Sequence, residues 1–129
     1  RSVTTLGSAP RVALQQLRGV LVAALPVSLT PELLLQLRRE LLSAALRTQP
    51  RAVLLDASAL EVMDAADFRS LCDTARMCRI MGRPTIACGF SPGVVSALVD
   101  FEVDVRAIDT ARDVDAAIAW LDRRGDEPR

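Results

Sequence analysis

The residues of this chain that could do chemistry lie in two segments, each of which follows a short apolar run. The first segment carries carboxylates and a hydroxyl, and the second a glycine and a hydroxyl; together they are Asp56, Ser58, Asp64, Gly89 and Ser91. Such groups can cap a helix, form a turn, bind a cation or accept a phosphoryl group. The simplest interpretation makes Asp64 a helix N-cap and Asp56 a turn residue, whereas a more specific one makes these residues a recognition loop.

The residue types that are missing exclude most catalytic mechanisms. The chain has no Lys, His, Tyr or Asn, and all 16 of its basic residues are Arg. This removes His as a general base or metal ligand and Lys as a Schiff-base nucleophile, and neither common Gly-rich phosphate loop occurs. Phosphoaspartate receivers and haloacid-dehalogenase-type phosphatases are excluded because both need a Lys. Asp64 and Asp67 could hold a divalent cation, but carboxylates three residues apart on a helix are usually solvated. We therefore expect no enzyme activity, no metal and no cofactor.

Charge and hydropathy narrow the class of partner. The 16 acidic and 16 basic residues are interspersed and sum to zero, so neither nucleic acid nor an anionic membrane surface is an expected partner. The longest apolar run, residues 19–27, is interrupted by Pro26 and is too short to span a bilayer. Proteins or small molecules are the expected partners.

Length and cysteine usage indicate one intracellular globular domain. We expect a single domain over residues 1–129, with a core at about 11–122 and flexible ends at 1–10 and 123–129. The cysteines Cys72, Cys78 and Cys88 lie in apolar segments without CxxC spacing. They are typical of small buried side chains in a reducing compartment, which predicts a cytoplasmic protein.

Apolar runs and capping signals predict the elements that position these groups. The predicted strands are 12–17, 19–25, 52–55, 84–88 and 103–108, and the predicted helices are 31–47, 66–81, 92–100 and 110–121. Thr30-Pro31 and Ser91-Pro92 each give a hydroxyl N-cap followed by Pro at the first helical position. The order β-β-α-β-α-β-α-β-α predicts an α/β fold, a mixed sheet with an initial hairpin and helices packed on it. Ligands and partners of such sheets gather at the carboxyl ends of the strands.

Four short motifs occur in order along the chain. They are Leu29-Thr30-Pro31-Glu32, then Leu54-Leu55-Asp56-Ala57-Ser58 with Val62-Met63-Asp64, then Arg79-Ile80-Met81-Gly82-Arg83-Pro84, and finally Cys88-Gly89-Phe90-Ser91-Pro92. As an ordered set they resemble the STAS domains of anti-sigma-factor antagonists, and most closely the RsbS-type proteins of the bacterial stressosome. The resemblance covers roughly residues 12–121 and implies the STAS fold.

The resemblance implies a non-enzymatic stress-response switch that works by protein–protein interaction. Members of the family bind a kinase or anti-sigma factor when unphosphorylated and release it once a Ser or Thr after the second Asp is phosphorylated. RsbS-type members also assemble with RsbR-like paralogues and sequester an RsbT-like kinase, so a homo- or hetero-oligomer is implied. Two alternatives remain: a free antagonist that binds an anti-sigma kinase directly, and a STAS domain that holds a nucleotide or another anion at the helix starts near Ser91-Pro92 and Ala65.

The chain departs from the family pattern at the phosphorylation position. The implied partner-binding loop comprises Asp56, Ser58, Asp64, Ala65, Ala66, Gly89 and Ser91, and the position after Asp64 is Ala65, which has no hydroxyl. A second phosphorylation position, known in RsbR-type relatives, falls at Ala97, beside Ser96. Ala65 can be an engineered change or a natural loss, or Ser58 can have taken over the role. Glu102 is a further departure, because relatives usually have Gly at this helix end.

Overall fold

The computed structural model describes residues 12–125, so the predicted flexible segment 1–10 and residues 126–129 lie outside the described part. Its elements are β1 Ala13–Leu17, β2 Val20–Ala24, α1 Pro31–Thr48, β3 Ala52–Asp56, α2 Ala65–Ile80, β4 Thr85–Cys88, α3 Pro92–Asp100, β5 Asp109–Ala111 and α4 Val114–Gly125. No helix in this part of the chain is long and apolar enough to cross a membrane.

The strands form one five-stranded sheet in the order β1-β2-β3-β4-β5. β1 is antiparallel to β2, and the other neighbours are parallel. The hairpin turn places Arg18 and Gly19 at φ of 54° and 79°, which suits the right-handed twist of the strands. The predicted mixed sheet with an initial hairpin is therefore confirmed.

The sheet is covered on both faces. In β2, Leu21 and Ala23 belong to the apolar cluster beneath α1, α2 and α3, whereas Val20 and Val22 belong to the cluster beneath α4. The unalternating apolar run predicts this double burial, because both faces of a parallel strand are packed against helices. The helices on the two faces leave the carboxyl ends of the strands as the accessible rim.

The last third of the chain differs from the prediction. The predicted strand at 103–108 is wrong, because residues 105–107 form a 3-10 turn in which the Asp104 side chain accepts a hydrogen bond from Arg106 N at 3.0 Å. The strand is instead β5, which begins at Asp109, directly after the last residue of the predicted strand. Helix α4 begins at Val114 rather than at 110 or 111, because the Asp113 carboxylate accepts from Ala116 N at 2.8 Å and caps it. It runs to Gly125, into the predicted tail.

Helix α3 has the predicted bounds, and Glu102, where the family resemblance implies Gly, lies two residues beyond its last residue. Glu102 adopts φ +57° there, and the Val103 N–H donates to Leu98 O at 3.1 Å across it. This is the bonding pattern of a left-handed helix end, which Gly usually provides. The chain keeps that helix end and forces a side chain into a backbone conformation that disfavours one.

Candidate functional site

The loops that follow β2, β3 and β4 are held side by side by backbone hydrogen bonds. Leu25 N donates to Asp56 O at 2.9 Å, and Ala57 N donates to Cys88 O at 2.8 Å. Gly89 N donates in turn to Arg112 O at 3.1 Å, beyond the end of β5. The sheet ladder thus continues past the strand ends. We call residues 56–66 and 89–91 the candidate edge.

Asp56 and Ser58 form a closed turn on this edge. Asp56 Oδ1 accepts from the Ser58 backbone N at 3.0 Å and from Ser58 Oγ at 2.8 Å. This geometry is that of an Asx turn, in which the carboxylate replaces a backbone acceptor. The turn interpretation of Asp56 is therefore confirmed, and the exposed Ser58 hydroxyl is held against a carboxylate.

Gly89 brings the second loop into direct contact with this turn. Its φ is +82°, and a Cβ built on it would lie 2.9 Å from Ser58 N and 3.1 Å from Ser58 Cα. A side chain would therefore strain the backbone and overlap backbone atoms of the neighbouring loop. The glycine fixes the spacing between the two halves of the candidate edge.

Asp64 caps helix α2, as the simpler interpretation predicts. Its Oδ1 accepts from Asp67 N at 2.8 Å, and Asp67 Oδ2 accepts from Asp64 N at 3.2 Å. This reciprocal pair is a capping box in which Asp takes the usual place of Glu or Gln. Partial burial raises the pKa of the Asp67 carboxyl, the hydrogen bond from the Asp64 backbone opposes that shift, and the Asp64 charge adds to it. Two acidic groups thus occupy the start of α2.

The alanines after Asp64 begin the helix. Ala65 is its first residue and is half-buried, and Ala66 is exposed. Because the cap bonds belong to Asp64 and Asp67, the side chain at position 65 has no part in them. Position 65 thus lies directly after one of these acidic residues in the chain and two residues before the other.

The remaining predicted residues lie on α3. Ser91 is its N-cap, with Oγ accepting from Val94 N at 3.2 Å. Ala97 is half-buried and lies five residues beyond the helix start, which is about 7 Å along the axis, and Ser96 beside it is exposed. The structure thus brings Asp56, Ser58 and Gly89 together, whereas Ala97 lies apart from them, farther along helix α3.

Sequence reasoning assigned no role to two exposed apolar side chains, Val62 on the candidate edge and Val27 in a neighbouring loop. Val27 and Val62 are 53% and 65% exposed, and their loops are joined because Glu61 N donates to Val27 O at 2.8 Å. Exposure of single apolar side chains is common on protein surfaces, so the two valines mark no interface by themselves. The only sequence signal is their position in loops, since a periodic pattern cannot tell an exposed loop valine from a buried one.

The carboxylates and thiols of the described residues are not arranged as a metal site or as a reactive cysteine. No group of three or more His, Cys, Asp or Glu residues that could hold a metal occurs within residues 12–125. The three thiols are buried, and burial, with smaller contributions from the Asp56 and Asp113 charges, raises the pKa of Cys88 to about 12. A thiol with that pKa is a poor nucleophile.

Comparison with known proteins identifies the architecture. No protein-family model and no curated protein matches the sequence. Among solved structures, the chain is similar to an anti-sigma-factor antagonist (STAS) domain protein from Planctomyces limnophilus, with a TM-score of 0.70 and 18% identity over 88% of this chain and 99% of that one. The chain has the STAS fold.

Two further solved structures with the STAS fold are similar to the chain. An RsbS variant from Moorella thermoacetica, in which one Ser is replaced by Glu, has a TM-score of 0.77 and 25% identity over 92% of this STAS domain and all of that chain. The anti-sigma-factor antagonist SpoIIAA in its unphosphorylated form has a TM-score of 0.62 and 16% identity over 90% and 99% of the two chains. The predicted resemblance to STAS proteins, RsbS among them, is confirmed.

Proposed function

We propose that this STAS domain is a non-enzymatic interaction module of the RsbS type, which binds RsbR-like paralogues and sequesters an RsbT-like kinase through the candidate edge. The observation that supports the proposal is the capping box of Asp64 and Asp67 at the start of α2, beside Ala65, the residue that the family resemblance implies as the switch position. Similarity to the RsbS variant supports the assignment. The chain also shares its fold with a chain of the stressosome, described as a signal integration and transduction hub. That match has 24% identity and a TM-score of 0.71 over 89% of this chain and all of that one.

Electrostatics explains why the residue at position 65 would control binding. A phosphoryl group adds nearly two negative charges, and here it would meet the carboxylates of Asp64 and Asp67. The raised pKa of Asp67 indicates that this site already disfavours negative charge. Repulsion and desolvation would then oppose a packed interface. With Ala65, that charge cannot be added, and the domain stays in its binding state.

The test is a binding measurement with the RsbR-like and RsbT-like proteins of the same genome. We expect the chain to co-elute with them in size-exclusion chromatography and Ala65→Glu to weaken binding at least tenfold, because one buried like-charge contact costs ~1.4 kcal/mol or more. Ala119→Glu is the matched control, since Ala119 is exposed on α4 across the sheet. Absence of co-elution, or equal affinity of the Ala65→Glu and Ala119→Glu variants, would contradict the proposal.

Restoring the hydroxyl tests the switch itself. We expect Ala65→Ser to accept phosphate from the RsbT-like kinase, while the parent chain accepts none. Phosphate on the parent chain that disappears in Ser58→Ala would instead assign the switch to Ser58. An Ala65→Ser variant that stays unmodified would refute this interpretation of the loop.

Particle size separates the leading proposal from a free antagonist. A mega-dalton assembly with the paralogue favours the stressosome role, and a small complex with an anti-sigma kinase favours the other. The anion-binding alternative is disfavoured at α2, because a bound anion would face the carboxylates of Asp64 and Asp67.

A further inference from the structure

A cavity that adjoins the candidate edge at Arg112 has the chemistry of a ligand site. It has a volume of about 350 Å³ and opens between β5 and α4, on the face of the sheet opposite α1–α3. Its wall includes Ile86, Ala111, Arg112, Ala116, Trp120 and Arg123. Trp120 is the single tryptophan of the chain and is half-buried there.

The apolar part of the wall is flat and aromatic. Half-buried Trp120 supplies a two-ring surface, and Ala116, one turn before it on α4, leaves room beside the ring because its side chain is small. The guanidinium carbon of Arg124 lies 4.6 Å from the centre of the Trp120 ring. A cation at that distance is attracted to the ring face, so Arg124 already covers one face of the indole, and a ligand would contact the part of the ring that lines the cavity.

The polar part of the cavity wall favours a negatively charged ligand. It carries the guanidinium groups of Arg112 and Arg123 against the single carboxylate of Asp109, a net charge of plus one. Arg112 is paired with Asp113 at 3.3 Å, but the two side chains are 84% and 52% exposed. An exposed pair of this kind is weak, so a ligand carboxylate can replace Asp113 at little cost.

We propose that this cavity binds a small planar aromatic anion, with its ring against Trp120 and its negative group toward Arg112 and Arg123. The volume lies at the lower end of the range of roughly 300–1,000 Å³ found for ligand pockets, which limits the ligand to about two fused rings and one anionic group. Charge-assisted hydrogen bonds from Arg to a carboxylate provide the orientation. This inference does not depend on the proposed function.

The single tryptophan makes the test direct. In a ¹⁵N-labelled sample its indole N–H gives one resolved signal, which we would follow during titration with 2-naphthoate. We expect a saturable shift of that signal, with 2-naphthalenemethanol binding at least tenfold more weakly and inorganic phosphate giving no shift. Equal affinity for 2-naphthoate and 2-naphthalenemethanol would overturn the assignment of Arg112 and Arg123 as the groups that bind the anion.

Two alanine substitutions on α4 supply a matched pair. Ala116→Leu fills the cavity and should weaken naphthoate binding at least tenfold, whereas Ala119→Leu, on the exposed side of the same helix, should leave it unchanged. Leu is nearly as good a helix former as Ala, so the dispersed amide spectrum should be retained. Equal affinity of the two variants, or no shift of the indole signal at millimolar naphthoate, would overturn the proposal.

Discussion

Gly89→Ala is the substitution that most sharply tests how the candidate edge is built. Gly89 has φ +82°, and an added Cβ would lie 2.9 Å from Ser58 N, a backbone atom that already donates to Asp56 Oδ1. The substitution therefore carries two separate costs. One is the left-handed backbone, and the other is displacement of the Asp56–Ser58 turn.

Gly82→Ala measures the first cost alone. Gly82 has φ +86°, and a Cβ there meets no atom within 4 Å. A left-handed alanine costs about 1–2 kcal/mol, and the reduced entropy of the unfolded chain returns about 0.4–1 kcal/mol, so we expect a net loss of about 1 kcal/mol. At Gly89 the overlap adds about 1–3 kcal/mol, by analogy with overpacked cores. The expected loss there is about 2–4 kcal/mol.

Urea unfolding followed by circular dichroism would give both values. For a domain of this size, an extra loss of about 2 kcal/mol should lower the urea midpoint by about 1 M at an unchanged m-value. Equal losses for Gly82→Ala and Gly89→Ala would refute the close approach of the two loops. A small loss of stability in Gly89→Ala, together with weaker partner binding, would mean that the loop moves and so relieves the overlap.

Two other predictions concern the backbone after helix α3 and the buried cysteines. Glu102→Gly should stabilise the protein by about 1 kcal/mol in urea unfolding, because Glu102 has φ +57°, whereas Asp100→Gly, at the last residue of α3, should destabilise it. Cys88 is fully buried with a pKa of about 12, so about one molecule in ten thousand carries its thiolate at pH 8. Ellman's reagent should therefore modify Cys72, Cys78 and Cys88 only after urea is added, and a thiol that reacts within minutes in the native protein would contradict their burial.

The sequence predicts the elements that are fixed by strong local signals. Thr30 and Ser91 are N-caps in the structure as predicted, since each hydroxyl accepts from a backbone N–H three residues later. β2 and β3 are predicted because continuous apolar runs between turn residues leave few alternatives. Asp56 and Asp64 at the strand end and helix start then follow from the order of elements.

The rest depends on packing that the sequence does not encode locally. β5 has only three residues and lies at the edge of the sheet, with Asp109 and Thr110 exposed, so no apolar run marks it. The valines at 103 and 105 look more strand-like, but the Asp104 side chain closes a turn there. The contact of Gly89 with Ser58 joins residues 31 positions apart and is visible only after β3 and β4 are paired.

Under the proposed function, the construction of the candidate edge explains how position 65 can lack a hydroxyl while the surface around it is kept. The edge is held by backbone bonds, from Leu25 N to Asp56 O and from Ala57 N to Cys88 O, and the start of α2 is held by the carboxylates of Asp64 and Asp67. A Ser or an Ala at position 65 would leave all of these bonds in place. Under the proposed function, the residue at position 65 therefore determines whether binding can be reversed, while its neighbours determine whether binding occurs.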